Sequence, residues 1–283
     1  MLDSLSLHVW SLIPAGEDLA AEVAVLADLV DPETRARVAR LGGPVEQWSV
    51  AAAHALLRGM LSRLAVAPGE APVPPPAWRL AREDHGRPFL AGPAPVPPAL
   101  FSLTHTRNLA ACALILGPDA LRMSLGIDAE APGRQRDPLP LARRFCHPRE
   151  AAALAALPAP RRPEAFLGLW TLKEAVAKAS GRGLQIGLAS FQVEQDPPLL
   201  RETGPLPGPP EAWMLVPLEA PPGAALTVAC HAPGLAPTIL RRALIGTEGL
   251  REALTCSREP RSSSTGIDQT KRAQQNGQDQ IIN

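Results

Sequence analysis

The chain has 283 residues and a mass of 29.9 kDa, with 28 basic side chains balanced by 28 acidic ones, 33 prolines and no tyrosine. At roughly 100 to 200 residues per domain that length fits one large or two small domains with a real core. The neutral balance speaks against general nucleic-acid or membrane-surface binding, both of which leave a basic excess. No run of about 18 apolar residues exists to span a bilayer.

In chain order, the opening Leu-Ser-Leu-His-Val-Trp alternates and predicts a strand. Asp31 followed by Pro32 and Glu33 is a helix start. A longer helix is expected over 45–64, where Trp48, Ala52, Leu56, Met60 and Leu64 recur at helical spacing, and a proline-rich connector follows over 68–76. Strands are expected at 77–81, 99–103, 110–116 and 124–128, with a turn or interdomain joint over 117–123. Helices are expected near 139–145 and 149–157 and over 163–179, the last stopped by Gly181 and Gly183. Strands return at 189–194, 212–218 and 225–231, with the proline-rich stretch 197–210 between the first two. The fold class is α+β. The sequence divides into halves at 1–117 and 118–245, and a Gln- and Ser-rich tail over 256–283 is expected to be disordered.

Four scattered cysteines, Cys112, Cys146, Cys230 and Cys256, form no C-x-x-C pair and no disulfide framework. The first residues carry an acid and no basic flank, unlike a secretory signal, so a cytoplasmic setting is expected. P-loop, dinucleotide, nucleophile-elbow and zinc-protease patterns are absent.

Three segments carry candidate chemistry. In L-G-I-D-A-E at 125–130, Asp128 and Glu130 lie two apart on a strand and face the same side, a pair able to share a hard cation such as Mg²⁺; the bland alternative is a solvated strand end. In the helix around W-T-L-K-E-A-V-A-K, Trp170, Glu174 and Lys178 follow at i, i+4 and i+8. Glu before Lys is an ordinary helix pair, yet only three of the 28 basic residues are lysines, and two of them, Lys173 and Lys178, stand here. Where a plain positive charge suffices this chain uses Arg, so the segment points to chemistry that Arg cannot supply. In F-S-L-T-H-T at 101–106, Thr104, His105 and Thr106 offer donors for phosphate oxygens, and Arg87 adds a cation on the upstream turn.

Read in order, G-R-P at 86–88, F-S-L-T-H-T at 101–106, L-G-I-D-A-E at 125–130, R-R-F-C-H-P-R-E at 143–150 and L-W-T-L-K-E-A-V-A-K-A-S-G-R-G-L at 169–184 resemble the successive motifs of the surfactin-synthetase-type 4'-phosphopantetheinyl transferases. The resemblance covers roughly residues 1–235. It implies two similar α+β halves packed as an intramolecular pseudo-dimer, with coenzyme A bound between them. It also implies Mg²⁺-dependent transfer of the phosphopantetheine arm to a serine of an apo acyl or peptidyl carrier protein. Mapped onto this chain, it gives Asp128, Glu130 and Glu174 as metal ligands and Thr104, His105, Arg87 and Lys178 as contacts to coenzyme A. Arg37 and Arg58 fill basic slots in the first half, but Ser49 stands where an Arg is often found. Glu174 or Glu150 is expected to accept the serine proton. At about twice the length of the small trimeric synthases, the chain is expected to be a monomer. The alternative is a non-catalytic coenzyme A or carrier-binding module of the same fold.

One regional count adds to the motifs. Arg134, Arg136, Arg143, Arg144, Arg149, Arg161 and Arg162 stand against only Asp137 and Glu150 in the stretch 134–162, which is therefore expected to dock an acidic carrier.

Overall fold

The computed structural model describes residues 5–66, 70–83, 86–93, 98–131 and 137–255. Strand β1 (Ser6–Ile13) leads into helices α1 (Leu19–Ala27), α2 (Pro32–Ala39) and α3 (Pro44–Leu64). A hairpin of β2 (Arg79–Arg82) and β3 (Pro88–Gly92) precedes a longer one of β4 (Ala99–His105) and β5 (Ala110–Leu116). Then come β6 (Ser124–Glu130) and the helices α4 (Leu139–Phe145), α5 (Pro148–Ala156) and α6 (Arg162–Ala179). The hairpin β7 (Gln192–Gln195) and β8 (Pro198–Glu202), strands β9 (Trp213–Leu218), β10 (Ala225–His231) and β11 (Thr238–Ile245), and helix α7 (Gly246–Thr255) complete an α+β chain.

The strands form two main sheets, one ordered β11-β1-β5-β4 and the other β6-β10-β9. Pairing is antiparallel except between β1 and β11, which run parallel. Helix α3 starts at Pro44, where a missing N–H costs nothing. It buries Trp48, Leu56, Leu57, Met60 and Leu61 in a core shared with Trp10, Leu12, Cys112 and Leu114 of the first sheet. Helix α6 covers the second sheet in the same way, with Leu172, Ala175, Val176 and Ala179 packed near Leu215 and Ala229. A third apolar layer, including Val9, Ala113 and Ile115 of one sheet and Leu125, Ile127 and Val228 of the other, holds the sheets together.

The seam between the sheets is polar at one edge. Ser102 Oγ accepts from the Ile127 N–H and Thr104 Oγ1 from the Ala129 N–H, each at 3.1 Å. Two β4 hydroxyls thus satisfy backbone donors on the outer edge of β6, where no further strand pairs.

Most expected elements are present, and two extend further than expected. The strands expected at 99–103 and 124–128 each run two residues longer, which carries His105 and Glu130 within them. Residues 238–245, grouped with the second half by sequence, form a strand of the first sheet instead, because pairing with β1 buries Leu240 and Leu244, the latter in the first core. Helices α1 and α7 and strands β3, β8 and β11 were not expected. The tail 256–283 lies outside the described residues.

Candidate active site

The β4–β6 seam opens into a cavity of about 590 Å³ lined by Thr104, His105, Arg107, Asp128, Glu130 and Lys178, among others. Three of its walls are explained by local structure. Thr104 is tethered between the strands, donating to Asp128 at 3.4 Å while accepting from Ala129. Asp128 and Glu130 face the same side of β6, two residues apart. Lys178, in the last turn of α6, reaches across to Asp128 Oδ1 at 2.6 Å and to the Ile127 carbonyl at 3.2 Å.

That reach depends on Gly126. A Cβ there would overlap the Ala175 carbonyl oxygen and crowd the Ala179 N–H, so only glycine lets α6 lie directly on β6.

The titratable groups in and around the cavity are shifted from their ordinary ranges. Burial pushes the Asp128 carboxyl above its usual range, against the pull of Lys178. Burial and the repulsion of Asp128 raise Glu130 too. Glu174, one turn before Lys178 on α6, is pushed up to about 7 by burial and then by Asp128 and Glu130. Desolvation, with Lys178 and Arg37 nearby, holds His105 below the ordinary imidazole range.

These residues fit a divalent cation. Asp128 Oδ2 is buried without a partner, an orphaned acceptor beside two further carboxylates and one lysine. Among the described residues no three His, Cys, Asp or Glu side chains form a ready metal cage. A cation here would draw its remaining oxygens from water and substrate phosphate, as Mg²⁺ commonly does.

A second cavity of about 290 Å³ shares Leu103 and Lys178 with the first and brings in Arg87, which sits over Gly181 just past α6. Arg87 Nη2 is buried without a partner. Arg37 is exposed on α2, close enough for its charge to act on both His54 and His105.

Two expected site residues lie elsewhere. Arg58 is 1 % exposed and pairs with Asp31, the N-cap of α2, while also donating to Thr34 at 3.3 Å. It ties α2 to α3 inside the first core and does not line the cavities: Nη2 is held by the Asp31 carboxylate and the Thr34 hydroxyl, and Nη1 turns to His54 on its own helix. Glu150 is 5 % exposed, with Oε1 accepting from Lys173 and the Val193 N–H and Oε2 from the His147 N–H. Its oxygens close the capping box of α5 and neutralise Lys173, so it has no free edge to offer a substrate proton. Sequence reasoning in turn missed His54, which lines the second cavity, and Arg107, which lines the first and a smaller one at the start of α3. Arg107 directly follows Thr104-His105-Thr106, and that adjacency was the available signal. His54 had none within its apolar helix.

The expected docking stretch is partly in view. Arg134 and Arg136 lie outside the described residues. Arg149 pairs with Glu202 at 3.4 Å, and Arg162 caps carbonyls at the end of α5. Arg143 and Arg144 are exposed on α4 beside Leu141, which is 50 % exposed, and Phe145. Phe145 meets the edge of Trp170, whose helix carries Glu174 and Lys178.

Comparison with known proteins agrees with this geometry. Residues 124–208, from β6 past α6 and β8, match the model of the 4'-phosphopantetheinyl transferase superfamily. The chain is 30 % identical over 233 residues to the 4'-phosphopantetheinyl transferase HetI of Nostoc sp. strain PCC 7120, covering 81 % of this chain and 90 % of the relative. It is also 30 % identical over 115 residues to the 4'-phosphopantetheinyl transferase Sfp of Bacillus subtilis strain 168, covering 41 % of this chain and 46 % of Sfp. A match over 90 % of HetI, together with a family model that spans the strand and helix building the cavity, means that this chain belongs to the 4'-phosphopantetheinyl transferase superfamily.

Proposed function

We propose that the chain transfers the 4'-phosphopantetheine arm of coenzyme A to a serine hydroxyl of an apo acyl or peptidyl carrier protein and releases adenosine 3',5'-bisphosphate. The observation that carries this reading is the meeting of Thr104, His105, Asp128, Glu130 and Lys178 in one cavity, with the acids on β6 flanked by donors from β4 and α6.

In this reading the serine oxygen attacks the pantetheine-side phosphorus, a new O–P bond forms, and the bond to the bridging oxygen breaks with its electron pair leaving on the bisphosphate. Lys178 holds the pyrophosphate from the α6 side and His105 from the β4 side, so the phosphorus is presented to the incoming hydroxyl. Asp128 and Glu130, with Glu174 adjoining, would hold Mg²⁺, which when bound would neutralise charge on the phosphoryl oxygens. Glu174 accepts the serine proton, directly or through water; the full engagement of Glu150 supports that choice. Arg87 and Arg37 hold the nucleotide side of the donor.

The halves 1–117 and 118–245 are proposed to act as a pseudo-dimer, with β11 contributed to the first sheet, and the protein to work as a monomer. The acidic carrier docks on α4 through Arg143, Arg144, Leu141 and Phe145. The setting is the cytoplasm; among the described residues no helix is long and apolar enough to cross a membrane.

The test is incubation with coenzyme A, Mg²⁺ and several apo carriers, followed by intact mass measurement. Each accepted carrier gains one phosphopantetheine arm, and Asp128→Ala and Glu174→Ala abolish the gain while the melting transition stays cooperative. No gain on any carrier, or near-normal gain with either variant, refutes the assignment.

A further inference from the structure

A chain of hydrogen bonds runs from the start of α2 into the second cavity. Asp31 caps α2, accepting from the Thr34 N–H at 3.0 Å and the Thr34 hydroxyl at 2.6 Å, and also pairs with Arg58 Nη2. The other terminal nitrogen of Arg58, Nη1, lies 3.1 Å from His54 Nδ1, one turn earlier on α3. A guanidinium has no acceptor and keeps its protons. His54 Nδ1 must therefore present its lone pair, and the ring proton must sit on Nε2. Protonating Nδ1 would set N–H against N–H, so the network also holds the ring neutral. Burial, with Arg37, His105 and Arg82 close by, acts in the same direction and lowers the His54 pKa to about 4.

The cavity that His54 lines has an apolar floor of Pro88, Phe101 and Leu125, cations at Arg82 and Arg87, and among the described residues no lining carboxylate. It joins the first cavity at Leu103 and Lys178. With the donor's pyrophosphate at Lys178, one end of coenzyme A is a neutral amide chain and the other a purine nucleotide carrying a further phosphate. Two arginines, one with a buried unpartnered Nη2, over an apolar floor suit the nucleotide.

We propose that His54 is a specificity-determining residue that donates a hydrogen bond from a fixed, neutral Nε2–H to an acceptor on the nucleotide end of the donor, its tautomer set by Asp31 through Arg58. This rests on the transferase reading for the identity of the ligand. In a cavity already rich in cations, a neutral imidazole adds direction without adding charge. The acceptor is a purine ring nitrogen or an oxygen of the ribose 3'-phosphate.

Calorimetry of the full chain with adenosine 3',5'-bisphosphate tests it. His54→Gln keeps an acceptor for Arg58 and a donor for the ligand and should bind within about twofold of wild type. His54→Leu keeps neither and should bind about tenfold more weakly. Adenosine 5'-monophosphate separates the two acceptors: a loss shared with it places the acceptor on the base, and a loss absent from it places the acceptor on the 3'-phosphate. Nitrogen-15 spectra of the wild-type ring, which do not depend on how well a variant folds, should show the neutral Nε2–H form and a shift of Nε2 on adding the bisphosphate. An Nδ1-protonated ring, or equal affinity of wild type and His54→Leu, overturns the role of His54 and leaves the transferase reading standing. Wild type that binds no bisphosphate and modifies no carrier overturns both.

Discussion

Lys173 donates to Glu150 across 2.7 Å in an interior where neither side chain meets solvent to any extent. Its ammonium also donates to the Phe191 carbonyl at 2.9 Å and lies 4.2 Å from the centre of the Phe191 ring. A compact charge on a long stem fills this site, whereas a planar guanidinium would need more donors satisfied than the pocket offers. That accounts for a lysine in a chain that otherwise prefers arginine. Removing one partner strands a buried charge, so Lys173→Met and Glu150→Leu should each cost about 3 to 5 kcal/mol in denaturant unfolding. The double variant Lys173→Met with Glu150→Leu should recover part of that loss. Glu150→Gln, once folded, should still transfer; a folded but inactive Glu150→Gln would return Glu150 to the chemistry.

Gly126 offers a test of how closely the metal site depends on helix position. Because a Cβ would meet the Ala175 carbonyl, Gly126→Ala must push α6 away from β6 and with it Lys178 from Asp128. Transfer should fall by at least about tenfold, with a loss of about 1 to 3 kcal/mol from overpacking. Full activity in Gly126→Ala would mean that the helix has slack the packing does not suggest.

On α4, reversal of charge should be felt by the carrier and not by the donor. Arg143→Glu together with Arg144→Glu should raise KM for an acidic carrier several-fold at low salt and leave KM for coenzyme A unchanged, with the difference shrinking as salt is added. An unaltered carrier KM at low ionic strength would move docking to another face.

His54 also makes stability depend on pH. Its folded pKa of about 4 lies below the ordinary imidazole value of 6.5. Between those values the unfolded chain binds a proton that the folded one refuses, so stability that is complete above pH 6.5 is lost as pH falls toward 4. The loss amounts to at most about 3 kcal/mol. Melting temperatures of wild type and His54→Gln should run parallel above pH 6.5 and converge or cross below it, as the wild type alone loses this contribution. Parallel curves down to pH 4 would contradict the buried neutral ring.

The parts of the site that the sequence made legible are those where spacing alone fixes direction. Asp128 and Glu130 had to share a side of their strand, and Glu174 and Lys178 a side of their helix. Roles that depend on distant partners were not legible. Arg58 and Arg87 are both single arginines near family motifs, yet one is consumed by Asp31 and the other reaches the second cavity, a difference made by chain segments 27 residues apart in the first case. Glu150 read as a free carboxylate because its capping box and its partner Lys173 lie on different helices. Strand β8 was hidden because Pro197 and Pro198 look like a connector, although proline is tolerated at the first position of an edge strand.

The pairing of β1 with β11 bears on how the protein is made. Strand β1 waits for a neighbour encoded more than 220 residues later, from Ser6 to Thr238, whereas every strand of the β6-β10-β9 sheet lies within residues 124–231. The second sheet can therefore close during synthesis, while β1 keeps one edge bare until residues 238–245 have been made. A nascent chain arrested before residue 238 should accordingly carry a folded second sheet and an adhesive first one, and should be the form that chaperones hold.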